Sequence, residues 1–302
     1  MKRRLSLALL ASLTVAALAA CSGATPGAAP GGTTAAAPGT PVTVTVGVTD
    51  AGKGYWKIFT DLAAQQGITV KLQNFTDYQQ LNPIVSHGDL QLNQFQHLLF
   101  LANYDVHAKA DLVPIGATAI YALGLYTSKG YASPAAIPQG GQVAIPNDPT
   151  NQARALLVLQ SAGLVALKDG GNALSTPADV LPGSKVTVVP VDANQTAVQL
   201  RSLDAAVINN NFAYDAKIDP TTAIYSDLKD PAAADPYINV WVARKQDADN
   251  PVFAKLVAIY HDKAVTDELL KENGGTALVS DKTPAQLQQI LSGLEDLVRT
   301  AS

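Results

Sequence analysis

The sequence predicts an α/β fold with mostly parallel sheets, divided between two lobes. Runs of β-branched and other apolar residues alternate along the chain with helical stretches of about 10–15 residues, which indicates strand–helix–strand units. Residues 42–302 provide enough chain for two medium-sized domains with cores of their own. Segments rich in asparagine and aromatic residues follow predicted strands, at the ends where parallel sheets bind ligands.

The start of the chain has the pattern of a lipoprotein signal. Basic residues at positions 2–4 precede an apolar stretch over 5–17, and the sequence LAAC ends at Cys21. In this pattern, a lipobox, residues 1–20 are removed and the sulfur of Cys21 takes a diacylglyceryl group. The apolar stretch is too short to span a bilayer, so we expect the lipid on Cys21 to anchor the protein at the extracytoplasmic face of the cell membrane.

A linker is predicted between the lipid and the globular part. Residues 22–41 read SGATPGAAPGGTTAAAPGTP, with no charge and no large apolar side chain to bury. Such a composition is typical of a flexible tether. The globular part is therefore expected to begin at Val42.

The segments after Val42 alternate between strand and helix patterns. Residues 42–48 alternate β-branched side chains and predict a first strand, and apolar residues at the 3–4 spacing of one buried face predict a helix over 55–66. Further strands are predicted over 68–72, 89–95, 112–118 and 120–126, and further helices over 81–86 and 96–107.

The second half continues the alternation. A strand over 143–146 precedes a helix that begins at Pro149, with Asn147 and Asp148 as candidate caps, and closes at Gly163. Further strands are predicted over 185–191, 204–209 and 237–243, and further helices over 195–201, from Asn250 and from Thr283. We assign residues 42–126 and 237–302 to lobe 1 and residues 127–236 to lobe 2.

Charge and cysteine content exclude several classes of partner. Without the three basic residues of the signal, the total of 21 lysines and arginines becomes 18 against 25 acidic residues, a net charge of −7 with histidine neutral. This charge argues against nucleic acid or an anionic membrane surface as partner. Because Cys21 is the only cysteine, disulfides and thiolate metal sites are excluded.

No enzyme motif is present in the sequence. It contains no G-x-S-x-G, no H-E-x-x-H, no phosphate-binding P-loop and no dinucleotide fingerprint. His87, His97 and His107 recur at intervals of ten, which fits no usual metal spacing. Asp50, Asp77 and Asp148 lie in loops, where turn and cap roles explain them. We therefore expect no catalytic residue, no metal and no cofactor.

Two loop segments are candidate binding elements. In NQFQH, residues 93–97 at a strand-to-helix junction, Phe95 and His97 alternate and would face the same side. In PNDPTNQAR, residues 146–154, Arg154 follows a helix N-terminus, and a guanidinium beside such an end suits a carboxylate. The alternatives are ordinary core aromatics for the first segment and a solvent-exposed helix arginine for the second.

Four pieces of sequence together resemble a known family. They are the GDL of residues 88–90 with NQFQH, then PNDPTNQAR, then Val207-Ile208-Asn209, and then Tyr237-Ile238-Asn239-Val240. Their order and spacing resemble the methionine-binding lipoproteins of ABC importers, the NlpA lipoprotein family. The resemblance covers nearly the whole chain from Val42 onward.

The resemblance implies a function and a set of site residues. It implies a two-lobed fold like that of periplasmic binding proteins, with a hinge, which captures methionine or a close analogue and delivers it to an ABC permease and its ATPase. It implies that Arg154 holds the ligand carboxylate and that asparagines bind the polar groups. The predicted ligand-binding residues are Tyr78, Phe95, His97, Phe100, Tyr121, Asn151, Arg154, Asn209 and Asn239.

Two differences from the family leave the ligand itself open. Leu98-Leu99-Phe100 stands where family members usually have a proline and a tyrosine, and Tyr121-Ala122 replaces a tyrosine–proline pair. The alternatives are therefore a receptor for a methionine dipeptide or a divalent metal and, as a different class, a surface lipoprotein that acts as an enzyme or adhesin.

Overall fold

A computed structural model describes residues 42–228 and 234–301 of the chain. The predicted signal, the lipidation site Cys21 and the linker lie outside the described residues. No helix among the described residues has the length and apolarity needed to cross a membrane.

The first sheet contains five strands. They are β1 (Val42–Val48), β2 (Ile68–Asn74), β3 (Leu92–His97), β4 (Leu112–Ala117) and β11 (Asn239–Arg244), in the order β2-β1-β3-β11-β4. Strands β2, β1 and β3 are parallel, whereas β11 is antiparallel to both of its neighbours. Four of the five strands therefore run in one direction.

The second sheet repeats this arrangement. Its strands are β6 (Gly124–Tyr126), β7 (Gly141–Pro146), β8 (Val186–Val191), β9 (Ala205–Ile208) and β10 (Tyr225–Ser226), in the order β10-β6-β9-β7-β8. Here β6 is the antiparallel strand, and β9, β7 and β8 are parallel. A separate two-stranded sheet joins β5 (Ala119–Tyr121) to β12 (Ala277–Val279). The expected α/β class with mostly parallel strands is confirmed.

Helices cover both sheets. They are α1 (Gly54–Gln65), α2 (Leu81–His87), α3 (Leu98–Ala108), α4 (Pro149–Ser161), α5 (Thr196–Gln199), α6 (Asn210–Asp215), α7 (Pro251–Tyr260), α8 (Lys263–Glu272) and α9 (Pro284–Ala301). On one face of the first sheet, Trp56 and Phe59 of α1 pack against Trp241 of β11 and Tyr260 of α7. Burial of large aromatic side chains of this kind is a major stabilising contribution to a core.

The chain passes between the sheets twice: a first crossing joins β4 to β6 through residues 118–123, and a second joins β10 to β11 and is described at residues 227–228 and 234–238. The first crossing corrects the prediction of one strand over 120–126. Ala119–Tyr121 pairs with β12, whereas Gly124–Tyr126 pairs with β9 of the second sheet. The apolar run predicts extended backbone, but it carries no information about the break between the two strands or about the sheet that each one joins. Residues 124–126, assigned to lobe 1 from the sequence, lie in the second sheet.

Smaller differences concern the ends of elements. Strand β3 continues to His97, because His97 pairs with Asn239 of β11, so the helix predicted over 96–107 begins at Leu98. The helix predicted over 195–201 is only Thr196–Gln199 after a 3-10 turn. Helices α6 and α8 were not predicted.

Candidate ligand-binding site

One cavity lies between the two sheets, and the predicted site residues line it. It encloses about 620 Å³, including the space at its mouth that is open to solvent. All nine predicted residues line it: Tyr78, Phe95, His97, Phe100, Tyr121, Asn151, Arg154, Asn209 and Asn239. Residues that the sequence did not single out also contribute, among them Thr49, Asp50, Lys53, Gln94, Asn210 and Asn211.

Aromatic side chains form one wall of the cavity. Phe95 on β3 and Phe100 on α3 meet edge to face, with ring centroids 5.6 Å apart. The ring of Tyr78 lies 5.8 Å from Phe95 and 6.1 Å from Phe100. From the second lobe, Phe212 approaches Tyr78 with a centroid distance of 5.0 Å, a contact that the sequence did not predict. This wall offers an apolar, polarizable surface to a ligand side chain.

His97 is the last residue of β3 and also caps α3. Its Nδ1 accepts a hydrogen bond from the backbone N–H of Phe100 at 3.1 Å. Burial and the positive charge of Arg154 lower the pKa of His97 to about 3, against a smaller opposing effect of Asn151. The ring is therefore neutral near pH 7, and because Nδ1 accepts, Nε2 carries the proton.

Asparagines at the start of α4 and at the end of β9 form part of the opposite wall. Asp148, the residue before α4, accepts from both the backbone N–H and the side-chain amide of Asn151, each at 3.0 Å. This confirms Asp148 as the helix cap and fixes the Asn151 side chain. The Asn209 amide then donates to Asn151 Oδ1 at 2.8 Å. The resemblance to the family implied both asparagines as site residues, and both line the cavity.

Arg154 is buried, with 5% of its surface exposed, so the alternative of a solvent-exposed helix arginine is wrong. Its Nε donates to Asp227 Oδ2 at 2.6 Å, and its Nη2 donates to the backbone carbonyl of Tyr121 at 2.8 Å. The guanidinium also lies over the ring of Tyr237, 4.2 Å from its centroid. Asp227 was missed from the sequence, because it lies in a loop without a recognisable pattern.

A second buried cation, Lys53, was also missed. Its Nζ donates to Asn210 Oδ1 at 2.8 Å and lies 3.8 Å from Asp50 Oδ2. The rings of Tyr121 and Tyr214 are 5.4 and 5.3 Å away. Burial lowers the pKa of Lys53, although nearby carboxylates oppose the shift. The position of Lys53, in the loop directly after β1, was a signal that sequence reasoning could have used.

Several polar atoms in this cavity are buried without a hydrogen-bond partner of ordinary geometry among the described residues. Among them are Asn209 Oδ1 and Asn211 Nδ2. Burying such groups unpaired is unfavourable, so they favour a ligand with polar groups of its own. Within residues 42–228 and 234–301, no group of three histidine, cysteine or acidic side chains is arranged to hold a metal ion.

Two α/β lobes, joined by two crossings and enclosing a cavity that is aromatic on one side and polar on the other, define the class of two-lobed solute-binding proteins. The model of the NlpA lipoprotein family matches residues 44–280 of this chain, and the chain belongs to that family. The family suggested by the sequence motifs is thereby confirmed.

Individual relatives agree with this membership. A probable D-methionine-binding lipoprotein, MetQ, from Haemophilus influenzae is 33% identical over 239 residues, which cover 76% of this chain and 85% of the relative. The substrate-binding protein of a methionine transporter from Streptococcus pneumoniae superposes with a TM-score of 0.73 at 33% identity, covering 79% of this chain and 95% of that one. A nutrient-binding protein from Burkholderia cenocepacia, solved bound to methionine, superposes with a TM-score of 0.71 at 34% identity, covering 78% of this chain and 99% of that one.

Proposed function

We propose that this protein binds methionine in the cavity between its lobes and delivers it to the permease and ATPase of an ABC importer, without chemical change to the ligand. The observation that carries the proposal is the division of one cavity into an aromatic wall and a polar wall. A flexible apolar side chain fits the first wall, and the charged groups of an amino acid fit the second. The methionine named for the three relatives supports this choice of ligand.

In the proposed pose, the thioether lies against Tyr78, Phe95 and Phe100. Contacts between sulfur and aromatic rings contribute about 0.3–1.5 kcal/mol each. The ligand carboxylate lies at Arg154, which has N–H groups left after its bonds to Asp227 and Tyr121. The amides of Asn209 and Asn239 bind the amino and carboxylate groups.

The experiment that tests this function is calorimetry on the purified full chain with methionine and alanine. The wild-type protein is expected to bind methionine more tightly. Phe95→Ala is expected to weaken methionine binding by about 2–4 kcal/mol, because it removes a large buried contact, and to weaken alanine binding less. Phe75→Ala, a core substitution outside the cavity, serves as the control. Equal losses for both ligands in Phe95→Ala would contradict the proposed pose.

We further propose that the lipid on Cys21 anchors the protein at the extracytoplasmic face of the cell membrane. The lipobox and the family of lipoproteins support this location. Cys21→Ala is expected to remove the acyl groups and release the protein from the membrane fraction, with methionine binding unchanged. Mass spectrometry of the protein and fractionation of cells measure the two effects. Acyl mass on the alanine variant would disprove the assignment of Cys21.

The lobe boundaries also remain a proposal. We place the hinge in the described residues of the two crossings rather than at Tyr126, because Gly124–Tyr126 is a strand of the second sheet.

A further inference from the structure

The guanidinium of Arg154 is held by residues from both crossings between the lobes. From the first crossing, Tyr121 supplies a carbonyl to Nη2 at 2.8 Å. From the second crossing, Asp227 supplies a carboxylate oxygen to Nε at 2.6 Å, and Tyr237 supplies a ring 4.2 Å from the guanidinium carbon. Arg154 itself belongs to α4 of the second lobe. The guanidinium therefore has little freedom to rotate.

Asp227 is itself fixed in place. Its Oδ1 accepts the backbone N–H of Leu123 at 2.9 Å, so its two oxygens join the first crossing to Arg154. The Asp227 side chain is 24% exposed and that of Arg154 is 6% exposed. A buried guanidinium without a compensating charge is strongly unfavourable, so this pair also allows Arg154 to remain in the cavity wall.

The geometry of the pair restricts how a ligand can bind. A carboxylate can approach a guanidinium side-on, through Nε and Nη2, or end-on, through Nη1 and Nη2. Asp227 occupies Nε, which closes the side-on edge. Within residues 42–228 and 234–301, Nη1 donates no hydrogen bond, so both of its N–H groups remain available on the end-on side.

We propose that Asp227 is a positioning residue for ligand recognition, which orients Arg154 so that the ligand carboxylate binds end-on. Through Arg154, the bound carboxylate is linked to residues of both crossings. This inference rests on the proposed function, since it assumes an amino acid in the cavity. If the ion pair had a purely structural role, its loss would weaken the binding of all ligands equally and would destabilise the fold.

The test compares methionine with methionine amide on the full chain by calorimetry. Asp227→Ala is expected to weaken methionine binding by about 10- to 100-fold, as for loss of a hydrogen bond between charged groups. The amide is expected to lose less than about threefold, because it has no carboxylate to orient. Asp227→Asn keeps an oxygen that can accept from Nε, so its loss for methionine is expected to lie between those of wild type and Asp227→Ala.

The chain offers a matched control in the pair of Arg244 and Asp247. Arg244 Nε also donates to Asp247 Oδ2 at 2.6 Å, the Asp247 side chain is 25% exposed, and neither residue lines the cavity. Asp247→Ala is expected to leave the affinities for both ligands unchanged. Unchanged methionine binding in Asp227→Ala, equal losses for methionine and its amide, or an Asp227→Asn variant as weak as Asp227→Ala would each overturn the proposal.

A second measurement separates this proposal from the proposed function. The Nε–H proton of Arg154, observed by nuclear magnetic resonance without ligand, is expected to exchange slowly with solvent in the wild type and faster in Asp227→Ala. If the wild-type chain bound no methionine, the proposed function would fail, whereas the exchange rates would still decide whether Asp227 holds Arg154. Equal exchange rates in the two proteins would overturn the positioning role.

Discussion

Two cations, Arg154 and Lys53, lie in the wall of one cavity, and each has a carboxylate near it. Arg154 pairs with Asp227 at 2.6 Å, and Lys53 lies 3.8 Å from Asp50. Isolated buried charges are unfavourable, so the pairing explains how a largely buried cavity can contain both cations. The four formal charges cancel. A neutral zwitterion can therefore enter without leaving an excess of either charge, which is consistent with an amino acid as the ligand.

His97 is expected to make the stability of the folded protein depend on pH. Its pKa falls from an ordinary value of 6.5 to about 3 in the folded state. Between these values the unfolded chain binds a proton that the folded chain does not, so this residue lowers the free energy of unfolding as the pH falls from 6.5 towards 3. The loss is absent above pH 6.5 and reaches at most about 5 kcal/mol near pH 3.

His97→Gln is expected to reduce this loss of stability, because glutamine takes up no proton in that range. Urea unfolding at pH 7 and pH 4 measures the difference for each protein. His107→Gln, at an exposed position in α3, is the control and should retain the wild-type difference. If His97→Gln lost as much free energy of unfolding between pH 7 and pH 4 as the wild type does, His97 would not be the residue responsible.

The sequence predicted residues that line the cavity better than it predicted the residues that form hydrogen bonds or ion pairs with them. All nine predicted residues line one cavity, and they were predicted from the resemblance to the family rather than from strand periodicity. Their contact with a ligand stays a prediction. The pairing of Lys53 with Asn210 joins residues 157 positions apart, and a single sequence contains no pattern that relates them. Asp227 was missed for the same reason.

At the scale of elements, periodicity predicted the structure where it was long and regular. Strand β1 was predicted with its observed ends, Val42–Val48, and α1 and α4 lie within two residues of their expected bounds. These segments have clear alternation or a clear buried face, so local pattern and final burial agree. Prediction failed where the tertiary context decides, as in the division of residues 120–126 between two sheets.

The junction between β9 and α6 makes hydrogen bonds to both lobes. It carries three consecutive asparagines, and each has a different partner. Asn209 donates to Asn151 in its own lobe, whereas Asn210 accepts from Lys53 and Asn211 accepts from the hydroxyl of Tyr78. Because Lys53 and Tyr78 belong to the first lobe, this short segment contacts both the binding cavity and the opposite lobe.

At the scale of the whole molecule, the two lobes are in contact around the cavity. Besides the asparagine contacts, Asn194 donates to the carbonyl of Thr76 at 3.0 Å, and the hydroxyl of Tyr214 donates to the carbonyl of Gly52 at 3.2 Å. Separation of the two lobes would break these contacts. Under the proposed hinge mechanism these contacts would stabilise a closed form, so affinity should depend on contacts between the lobes as well as on contacts with the ligand.

Asn210→Ala tests this dependence. The variant loses the bond from Lys53 across the lobes, and a hydrogen bond to a charged group contributes about 1.5–3 kcal/mol, so affinity should fall about 10- to 150-fold. The factor should be similar for methionine and for methionine amide, since the lost bond joins lobe to lobe. Asn147→Ala, which removes a bond to Asp192 within the second lobe, should leave both affinities unchanged. Small-angle scattering should show that the radius of gyration decreases when methionine binds the wild-type protein. Asn210→Ala should need a higher methionine concentration to reach the same decrease. A radius of gyration that stays constant while calorimetry records binding would contradict closure. If Asn210→Ala lost affinity for methionine but not for methionine amide, Asn210 would be assigned to the ligand instead.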